Sequence, residues 1–347
     1  MKRRGFISKA AMGSAVLALP QYSNAQGNRR IDIIKPKALN KGDTIGLITP
    51  ASAISRTAFE NSLTNLENLG FKVKYSPNMR VKKGFLAGTD AQRVKDIHDM
   101  YSDDGFSGII CARGGYGSGR LVSQLDYDLI RNNPKVFIGY SDITALHYAI
   151  HANTGLVTFH GPVAASSFPK STENYFEDVV IKGKEVKLKA VQKPDKPNRA
   201  FDVFSINSGT AEGPLVGGNL SLMVSLMGTP YDLDFEGKIV FIEEIGESPY
   251  RVDRMLTQVL NSGKLDKAAG VALGVFNNCE TRPEDPDFGD SLSLKEVLED
   301  RLSSLNIPVA YGFPIGHISE NATLPMGARA SLDTSKFTLS LLEKAVA

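Results

Sequence analysis

Residues 135–144 read Lys135-Val-Phe-Ile-Gly-Tyr-Ser141-Asp-Ile-Thr144. The apolar run predicts a buried strand from Val136 to Gly139, and the residues after Ser141 are apolar at helical spacing. A serine on such a sharp strand-to-helix turn has the geometry of a nucleophile elbow, in which the helix N-terminus directs backbone N–H groups at an anion. Ile143 stands where the Gly-x-Ser-x-Gly pattern has its second glycine, so by pattern alone Ser141 is more simply interpreted as a helix N-cap.

The rest of the first half alternates between strand-like and helix-like segments. Strands are expected at Thr44–Thr49, Phe71–Tyr75, Gly108–Ala112, Val136–Gly139 and Val157–Phe159. Helical spacing separates them, and Asp90 is expected to cap one of the helices. This alternation predicts a parallel sheet covered by helices, with functional residues on loops at the carboxyl ends of the strands.

The composition changes between residues 182 and 198, where Lys, Pro, Asp and Val dominate. Such a segment is typical of a linker or an exposed ribbon between domains. The second half begins near Ala200. Its expected strands are 238–243, 271–276 and 309–311, and its expected helices are 219–227 and 251–262.

Composition excludes several classes of protein. The chain has 347 residues, 40 Lys+Arg against 38 Asp+Glu, and a net charge of +2, which gives no reason to expect nucleic acid. Its two cysteines cannot form a disulfide framework or a cysteine-rich zinc site. The length fits one large or two medium domains.

Residues 1–25 have the pattern of an export signal. A basic start precedes the apolar run Ala10–Leu19 and the small residues Ser23-Asn-Ala25, and residues 3–9 (Arg-Arg-Gly-Phe-Ile-Ser-Lys) resemble a twin-arginine signal. The apolar run is too short to span a bilayer, so no stable membrane insertion is expected after cleavage. The alternative is a frayed basic N-terminus.

A serine nucleophile needs a base. Of the five histidines, His317 lies in a polar loop whose Gly and Pro residues fix its backbone, which suits a positioned base. His160 ends a short strand and is placed to line a cleft. His147 and His151 are four residues apart on one helix face, but the glutamate of a His-Glu-x-x-His zinc site is missing, so neither a metal nor another cofactor is predicted.

Two further segments are placed to supply chemistry. Residues 238–244, Lys-Ile-Val-Phe-Ile-Glu-Glu, form an apolar strand that ends in Glu243 and Glu244, either of which is placed to orient a base or simply to end the strand in water. Residues 113–120, Arg-Gly-Gly-Tyr-Gly-Ser-Gly-Arg, lack the Gly-Lys-[Ser/Thr] of a phosphate loop. Their glycines suit an oxyanion loop, and Arg113 is placed to hold a substrate carboxylate.

Taken together, these motifs resemble the LD-carboxypeptidase family of serine peptidases, which includes muramoyltetrapeptide carboxypeptidases and microcin C immunity hydrolases. The resemblance extends from about residue 36 to about residue 333. It is carried by Pro50-Ala-Ser52, Phe85-Leu-Ala-Gly-Thr-Asp90, Arg113-Gly-Gly-Tyr-Gly117, Gly139-Tyr-Ser-Asp-Ile-Thr144, Gly217-Gly-Asn-Leu-Ser221, Glu243-Glu-Ile-Gly-Glu-Ser-Pro-Tyr-Arg251 and Gly316-His317.

The resemblance implies a catalytic triad of Ser141 as nucleophile, His317 as base and Glu243 as the acid that orients it. Glu243 is preferred to Glu244 because the family's acid directly follows the apolar run of the strand. The implied oxyanion hole consists of backbone N–H groups of Asp142 and of the loop at Gly114 and Gly115. The implied substrate contacts are Arg113, Asn219 and Arg251.

The resemblance also implies the architecture. The fold is expected to be α/β, with a flavodoxin- or glutamine-amidotransferase-like N-terminal domain at 36–180, a linker at 181–205 and a smaller swivelling C-terminal α/β domain at 206–340. The nucleophile lies on the first domain, and the acid and base lie on the second. Family members are commonly dimers, so a homodimer is expected.

The leading hypothesis is an exported, periplasmic enzyme that removes the terminal D-alanine from murein tetrapeptides through an acyl-enzyme. It would be cytoplasmic if the leader is not cleaved. One alternative is an immunity-like hydrolase of another amide or of an acyl-phosphoramidate, for which the absence of Trp leaves stacking to Tyr or Phe. Another is a wall-peptide-binding protein without turnover.

Overall fold

A computed structural model of the chain describes residues 32–190, 199–283 and 289–347, so the expected leader at 1–25 lies outside the described residues. The strands are β1 (Thr44–Ile48), β2 (Lys72–Tyr75), β3 (Gly108–Cys111), β4 (Val136–Gly139), β5 (Phe159–His160), β6 (Lys187–Lys189), β7 (Phe204–Asn207), β8 (Thr210–Asn219), β9 (Ile239–Ile245), β10 (Gly270–Asn277), β11 (Val309–Tyr311), β12 (Leu324–Pro325), β13 (Arg329–Asp333) and β14 (Thr338–Leu341). The helices are α1 (Arg56–Asn68), α2 (Asp90–Ser102), α3 (Tyr127–Asn132), α4 (Thr144–Thr154), α5 (Lys170–Phe176), α6 (Leu220–Leu226), α7 (Pro249–Asn261) and α8 (Leu294–Leu302).

The first half of the chain forms the parallel sheet that its alternating pattern predicts. The strand order is β12-β5-β4-β3-β1-β2, and β1 to β5 pair in parallel. Every residue of the central strands β3 and β4 is buried, which explains why these strands are continuous apolar runs. The fifth strand is Phe159–His160 rather than Val157–Phe159, because the N–H of Val157 donates to the carbonyl of Ile34 outside the sheet.

The second half forms a mixed sheet in the order β6-β14-β13-β8-β9-β10-β11-β7. Its centre, β8 to β11, is parallel, and the outer strands run antiparallel. The α/β class with two sheets is therefore confirmed. Within the described ranges, no helix combines the length and apolar composition needed to cross a bilayer.

The two halves exchange strands at their edges. The expected linker at 181–205 contains β6, which pairs with β14, and its last two residues begin β7. Conversely, β12 comes from the second half of the chain and pairs antiparallel with β5 of the first sheet. The segment between the sheets is therefore partly an edge ribbon.

The N-terminus of α2 differs from the expectation. The cap is Thr89, whose hydroxyl accepts the N–H of Gln92 while the Gln92 side chain accepts the N–H of Thr89, a reciprocal capping box. Asp90 is the first helical residue instead. Its carboxylate binds Arg93 at 2.6 Å and Arg120 at 2.9 Å, and both guanidinium groups lower the pKa of Asp90.

Helix α4 joins the two halves directly behind Ser141. Its residues from Thr144 to Ile150 are all buried, and the Thr144 hydroxyl accepts the N–H of Asn219 at 3.1 Å. A Cβ atom at Gly218 would lie 2.5 Å from Thr144 Cγ2, so only glycine allows this approach. The contact fixes the elbow of the first sheet against the carboxyl ends of β8 and β9.

Gly217 provides a test of this packing. Its φ is 146°, and a Cβ atom there would lie 1.8 Å from the carbonyl oxygen of Phe241. Gly217→Ala is expected to lower the free energy of unfolding by at least about 3 kcal/mol, since it adds a backbone clash to an unfavourable φ. Urea denaturation measures the change.

The matched control is Gly228→Ala, where φ is also positive but no atom lies within 4 Å of the added carbon. It is expected to cost only about 1 kcal/mol, from backbone strain alone. Equal costs at the two positions would contradict the close approach of β8 to β9.

Candidate active site

Ser141 occupies a strained backbone position. Its φ is +64°, in the left-handed region that non-glycine residues rarely adopt, and a 3-10 turn over Ser141–Ile143 leads directly into α4. A Cβ atom at Gly139 would lie 2.8 Å from Ile143 Cγ2, so the strand must end in glycine for the turn to close. This is the geometry expected of a nucleophile elbow, and it differs from that of an N-cap, whose backbone is extended.

The glycine-rich loop lies against this elbow. A Cβ atom at Gly114 would lie 3.0 Å from Ser141 Cβ and 3.3 Å from Ser141 Oγ. The Asp142 carboxylate accepts the N–H of Ser118 at 2.7 Å, and the Ser118 hydroxyl donates to the carbonyl of Asp142. The loop and the elbow are thus tied together by hydrogen bonds. The backbone N–H groups of Asp142 and of the loop at Gly114 and Gly115 stay the predicted oxyanion donors.

Gly115 and Tyr116 continue the loop. Gly115 has φ 110°, and a Cβ atom there would lie 2.4 Å from Ser52 Oγ. The same Ser52 hydroxyl accepts the N–H of Tyr116 at 3.0 Å. These contacts connect Pro50-Ala-Ser52, one of the sequence motifs, to the loop beside Ser141.

The predicted base and acid meet. His317 Nδ1 lies 2.7 Å from Glu243 Oε2, and the Glu243 side chain is fully buried at the carboxyl end of β9. A Cβ atom at Gly316 would lie 2.8 Å from Glu243 Oε2, so glycine before His317 makes room for the carboxylate. With Nδ1 bound to the acid, the opposite ring nitrogen is the one that remains for chemistry.

The electrostatics of this pair favour the imidazolium form. Burial alone would lower the pKa of His317, but the charge of Glu243, its hydrogen bond and a contribution from Glu244 together raise that pKa above its usual value. A base whose protonated form is stabilised by a fixed carboxylate is suited to accept a proton from a hydroxyl.

Glu244 points away from His317 and has other partners. It accepts hydrogen bonds from the side chain of Asn219, from the N–H and hydroxyl of Ser221, and from the N–H of Ile245. Burial raises its pKa. Successive strand residues face opposite sides, so the two carboxylates serve different neighbours, and only Glu243 contacts the histidine.

An aromatic contact brings the two halves of the site together. The ring of Tyr140, the residue before Ser141, lies 4.8 Å from the ring of His317 between centroids. The elbow and the base are therefore neighbours although 176 positions separate residues 141 and 317 in the sequence. Neither Tyr140 nor Gly316 was assigned a role from the sequence, although both stand next to residues that were.

The three candidate substrate contacts differ in their surroundings. Arg113 is half-buried and donates to the carbonyl of Ala53 at 3.0 Å, and no carboxylate of the described residues pairs with it. Arg251 is exposed and binds Glu247 and the hydroxyl of Tyr250, as expected of a structural ion pair.

Asn219 is 3% exposed. Its amide nitrogen donates to Glu244, and its amide oxygen accepts the N–H of Leu222 as the cap of α6. Because both ends of its side chain are engaged inside the protein, these contacts favour a structural role.

The two histidines on α4 are held by contacts inside the protein. His147 contacts the Thr158 hydroxyl at 2.9 Å and the Gly139 carbonyl at 2.8 Å, and burial lowers its pKa to about 4. His151 contacts the carbonyl of Leu156. The described residues contain no group of three or more His, Cys, Asp or Glu placed to hold a metal ion.

Two family profiles match most of the described chain. The profile of the LD-carboxypeptidase N-terminal domain matches residues 45–161, and that of the LD-carboxypeptidase C-terminal domain matches residues 212–332. The chain is 44% identical over 306 residues to a probable murein peptide carboxypeptidase of Bacillus subtilis. The aligned region covers 88% of this chain and 93% of that protein.

Solved structures share the fold. A muramoyltetrapeptide carboxypeptidase from Oxalobacter formigenes has a TM-score of 0.73 at 32% identity and covers 86% of this chain and 97% of its own. The microcin self-immunity protein MccF of Escherichia coli is 30% identical, covering 87% of this chain and 94% of that protein. A structure of MccF in complex with glutamyl sulfamoyl guanosine has a TM-score of 0.79 at 27% identity, covering 90% and 99% of the two chains.

The contact between Glu243 and His317 predicts a shift in titration. Glu243→Gln removes the charge that raises the pKa of His317 and leaves the burial that lowers it, so the midpoint should fall. Between the two midpoints the imidazole is charged in the wild type and neutral in the variant. NMR titration of the His317 ring measures both.

The control is Glu247→Gln, which removes a half-buried carboxylate that pairs with Arg251. It should leave the His317 midpoint in place. An unchanged midpoint in Glu243→Gln would show that the 2.7 Å contact does not govern the charge of His317.

Proposed function

Because the chain belongs to the LD-carboxypeptidase family, which includes murein peptide carboxypeptidases, we propose that it removes the terminal D-alanine from murein tetrapeptides by serine catalysis. The observation that carries the proposal is the buried Glu243–His317 pair, packed through Tyr140 against a serine with positive φ. A carboxylate, an imidazole and a strained serine are the parts of a serine-hydrolase triad.

In the proposed mechanism, His317 accepts the proton of Ser141 Oγ as that oxygen bonds to the carbonyl carbon of the penultimate, L-configured diamino-acid centre. Glu243 holds the imidazole in orientation and stabilises the imidazolium. The bond from the carbonyl carbon to the D-alanine nitrogen then breaks, and His317 gives its proton to that nitrogen. Water attacks the resulting acyl-enzyme and releases the tripeptide, which restores Ser141.

Backbone donors are proposed to stabilise the oxyanion. The N–H of Asp142 lies in the first turn of a helix, where backbone N–H groups have no partner within the helix. Gly114 lies against Ser141, and a glycine lets its N–H approach the reacting carbonyl. A good oxyanion donor of this kind contributes about 3–4 kcal/mol to the transition state.

An exopeptidase also needs a cation for the terminal carboxylate, and we assign this role to Arg113. It lies one residue before Gly114 on the loop beside Ser141, and no carboxylate of the described part of the chain neutralises it. Arg251, the other candidate, is engaged with Glu247. Arginine suits a carboxylate because its planar fork donates two parallel hydrogen bonds.

A second candidate is favoured by the similarity to MccF, whose structure holds glutamyl sulfamoyl guanosine. The same triad would hydrolyse an amide or acyl-phosphoramidate of an amino-acid nucleotide. The chain has no Trp, so a base would have to stack on Tyr or Phe. We rank this activity second, because the relative at 44% identity is named for murein peptides.

We further propose a periplasmic homodimer, exported through residues 1–25. The basic start and twin-arginine-like pattern of the leader support export. The dimer is inferred from the family resemblance. Full-length protein that keeps its leader in the cytosol would contradict export.

Ser141→Ala tests the nucleophile. Purified protein should release D-alanine from a tetrapeptide, and the variant should lose at least about 10⁴-fold in kcat, because the nucleophile and base act as a unit. It should also lose covalent labelling by a fluorophosphonate. Mass spectrometry of both reactions gives the readout.

The matched control is Ser225→Ala, which removes an exposed serine hydroxyl on α6 and should keep both activities. Wild type that neither labels nor turns over would favour a binding protein. Labelling together with turnover of an aminoacyl nucleotide, but not of a tetrapeptide, would favour the second candidate.

Arg113→Met tests recognition of the terminal carboxylate. KM for the tetrapeptide should rise by about 10–100-fold, because a charge-assisted bidentate contact is lost. The wild type should discriminate against a C-terminally amidated tetrapeptide, and the variant should not. Steady-state kinetics with the two peptides measures this.

Arg301→Met is the control, since Arg301 lies on α8 and binds Asp300 and Asp253. It should keep the discrimination. If Arg251→Met loses discrimination and Arg113→Met keeps it, the assignment to Arg113 is wrong.

A further inference from the structure

Buried polar atoms without a hydrogen-bond partner lie around the acid of the site. Within the described residues, five such atoms belong to four side chains of this region: His160 Nδ1, His160 Nε2, Glu243 Oε1, Asn321 Nδ2 and Thr323 Oγ1. None of these residues is more than 3% exposed. Buried polar groups in folded proteins are almost always hydrogen-bonded to protein or to ordered water.

His160 and Glu243 face the same interior region. The His160 ring lies 5.1 Å from the ring of Phe241, which is two residues before Glu243 on β9 and therefore projects from the same face. His160 also lies 6.0 Å from the ring of Tyr140, whose other neighbour is His317 at 4.8 Å.

Asn321 and Thr323 close this region from the segment before β12. The Asn321 oxygen accepts the N–H of Gly316 at 2.9 Å, and Gly316 is the residue whose added Cβ would lie 2.8 Å from Glu243 Oε2. Thr323 Oγ1 lies 3.0 Å from the Cβ position at Gly161, next to His160. The four side chains thus converge from β5, β9 and the loop between His317 and β12.

The hydrogen-bonding capacities of these atoms are complementary. An ionised Glu243 oxygen only accepts, the Asn321 amide nitrogen only donates, and the Thr323 hydroxyl does both. Burial holds the pKa of His160 well below its usual value, so its ring is neutral and offers one donor and one acceptor. Interior water, which makes two to four hydrogen bonds, satisfies such a set.

His147 is a useful comparison, because both of its ring nitrogens have hydrogen-bond partners inside the protein. It is as buried as His160, and both of its nitrogens contact protein oxygens, those of Thr158 and Gly139. The unpartnered nitrogens of His160 are therefore a local feature of the region next to Glu243.

We propose that ordered water molecules join Glu243 Oε1 to His160, Asn321 and Thr323, and that these three are positioning residues for the catalytic acid. The proposal rests on the proposed function, since it gives Glu243 its role through His317. His160, Asn321 and Thr323 bind the water molecules, and these donate to Glu243 Oε1. Glu243 Oε2 stays available to bind His317 Nδ1.

Loss of a member of this network has a signed effect on pH dependence. Donors to Glu243 stabilise the negative charge of its carboxylate. Removing one donor makes proton uptake by the Glu243–His317 pair easier, which moves the acid limb of kcat/KM to higher pH. The other titratable groups that act on Glu243 and His317 are Glu244, Cys279, Tyr140 and His160. These groups are kept in the variant chosen below.

The experiment compares Thr323→Val with Thr158→Val, whose lost hydroxyl contacts His147 instead. The acid limb for tetrapeptide hydrolysis should move up by about 0.5–1 pH unit in Thr323→Val, which lowers kcat/KM at low pH by about 3–10-fold and leaves the alkaline plateau within about twofold. Thr158→Val should leave the limb in place.

Thermal unfolding gives a second readout that does not need activity. If water binds the Thr323 hydroxyl, Thr323→Val lowers the melting temperature; if the region is dry, removing an unpartnered hydroxyl leaves it unchanged or raises it. A crystal structure of the wild type should show ordered water within hydrogen-bond distance of Glu243 Oε1. An unmoved limb, an unchanged or raised melting temperature, or a dry region would each overturn the proposal.

The two proposals fail in different ways. Wild type without tetrapeptide hydrolysis would contradict the proposed function, while the melting temperature and the crystal structure would still decide the water network. Wild type with hydrolysis but with an unmoved limb in Thr323→Val would contradict the network alone.

Discussion

The hydrogen bond between Glu243 and His317 is the interaction on which the arrangement of the site depends. A carboxylate with no exposed surface needs a partner, because burying an unpaired charge is costly. The partner comes from a loop 74 positions away in sequence, and Gly316 makes the approach possible by leaving the space of a side chain empty. The same loop continues to Asn321 and into β12, so the segment that carries His317 also completes the first sheet.

Two close backbone approaches position the segment around Ser141. Gly218 lets α4 pack against the end of β8, and Gly114 lets the glycine-rich loop lie on the elbow. The positive φ of Ser141 stores strain that the surrounding contacts must hold, which is typical of functional sites. Glycine therefore makes both of these approaches possible.

Much of the fold could be predicted because apolar periodicity reports burial. The strands Val136–Gly139 and Val309–Tyr311 were expected at their exact bounds, since both are wholly buried runs. The capping of α2 was wrong because Thr89 and Asp90 are both good caps, and the reciprocal bond with Gln92 decides between them. The edge strands β6 and β12 were not predicted, since their pairing is set by the tertiary fold.

The site was predictable only in part, for related reasons. The sequence pattern does not distinguish Glu243 from Glu244. They differ in the structure because only Glu243 lies on the face of β9 that contacts His317. Asn219 looked like a substrate contact from its motif, whereas its contacts with Glu244 and Leu222 favour a structural role. His160, Asn321 and Thr323 stand beside recognised motifs but belong to none, so only their burial without partners draws attention to them.

A crystal structure of the protein after reaction with a fluorophosphonate tests the central claim most directly. The account predicts phosphorus bonded to Ser141 Oγ, His317 Nε2 within about 3 Å of that oxygen, and the phosphonyl oxygen facing the N–H groups of Asp142 and Gly114. Phosphorus on another residue, or a His317 ring beyond hydrogen-bond reach of Ser141 in that adduct, would contradict it.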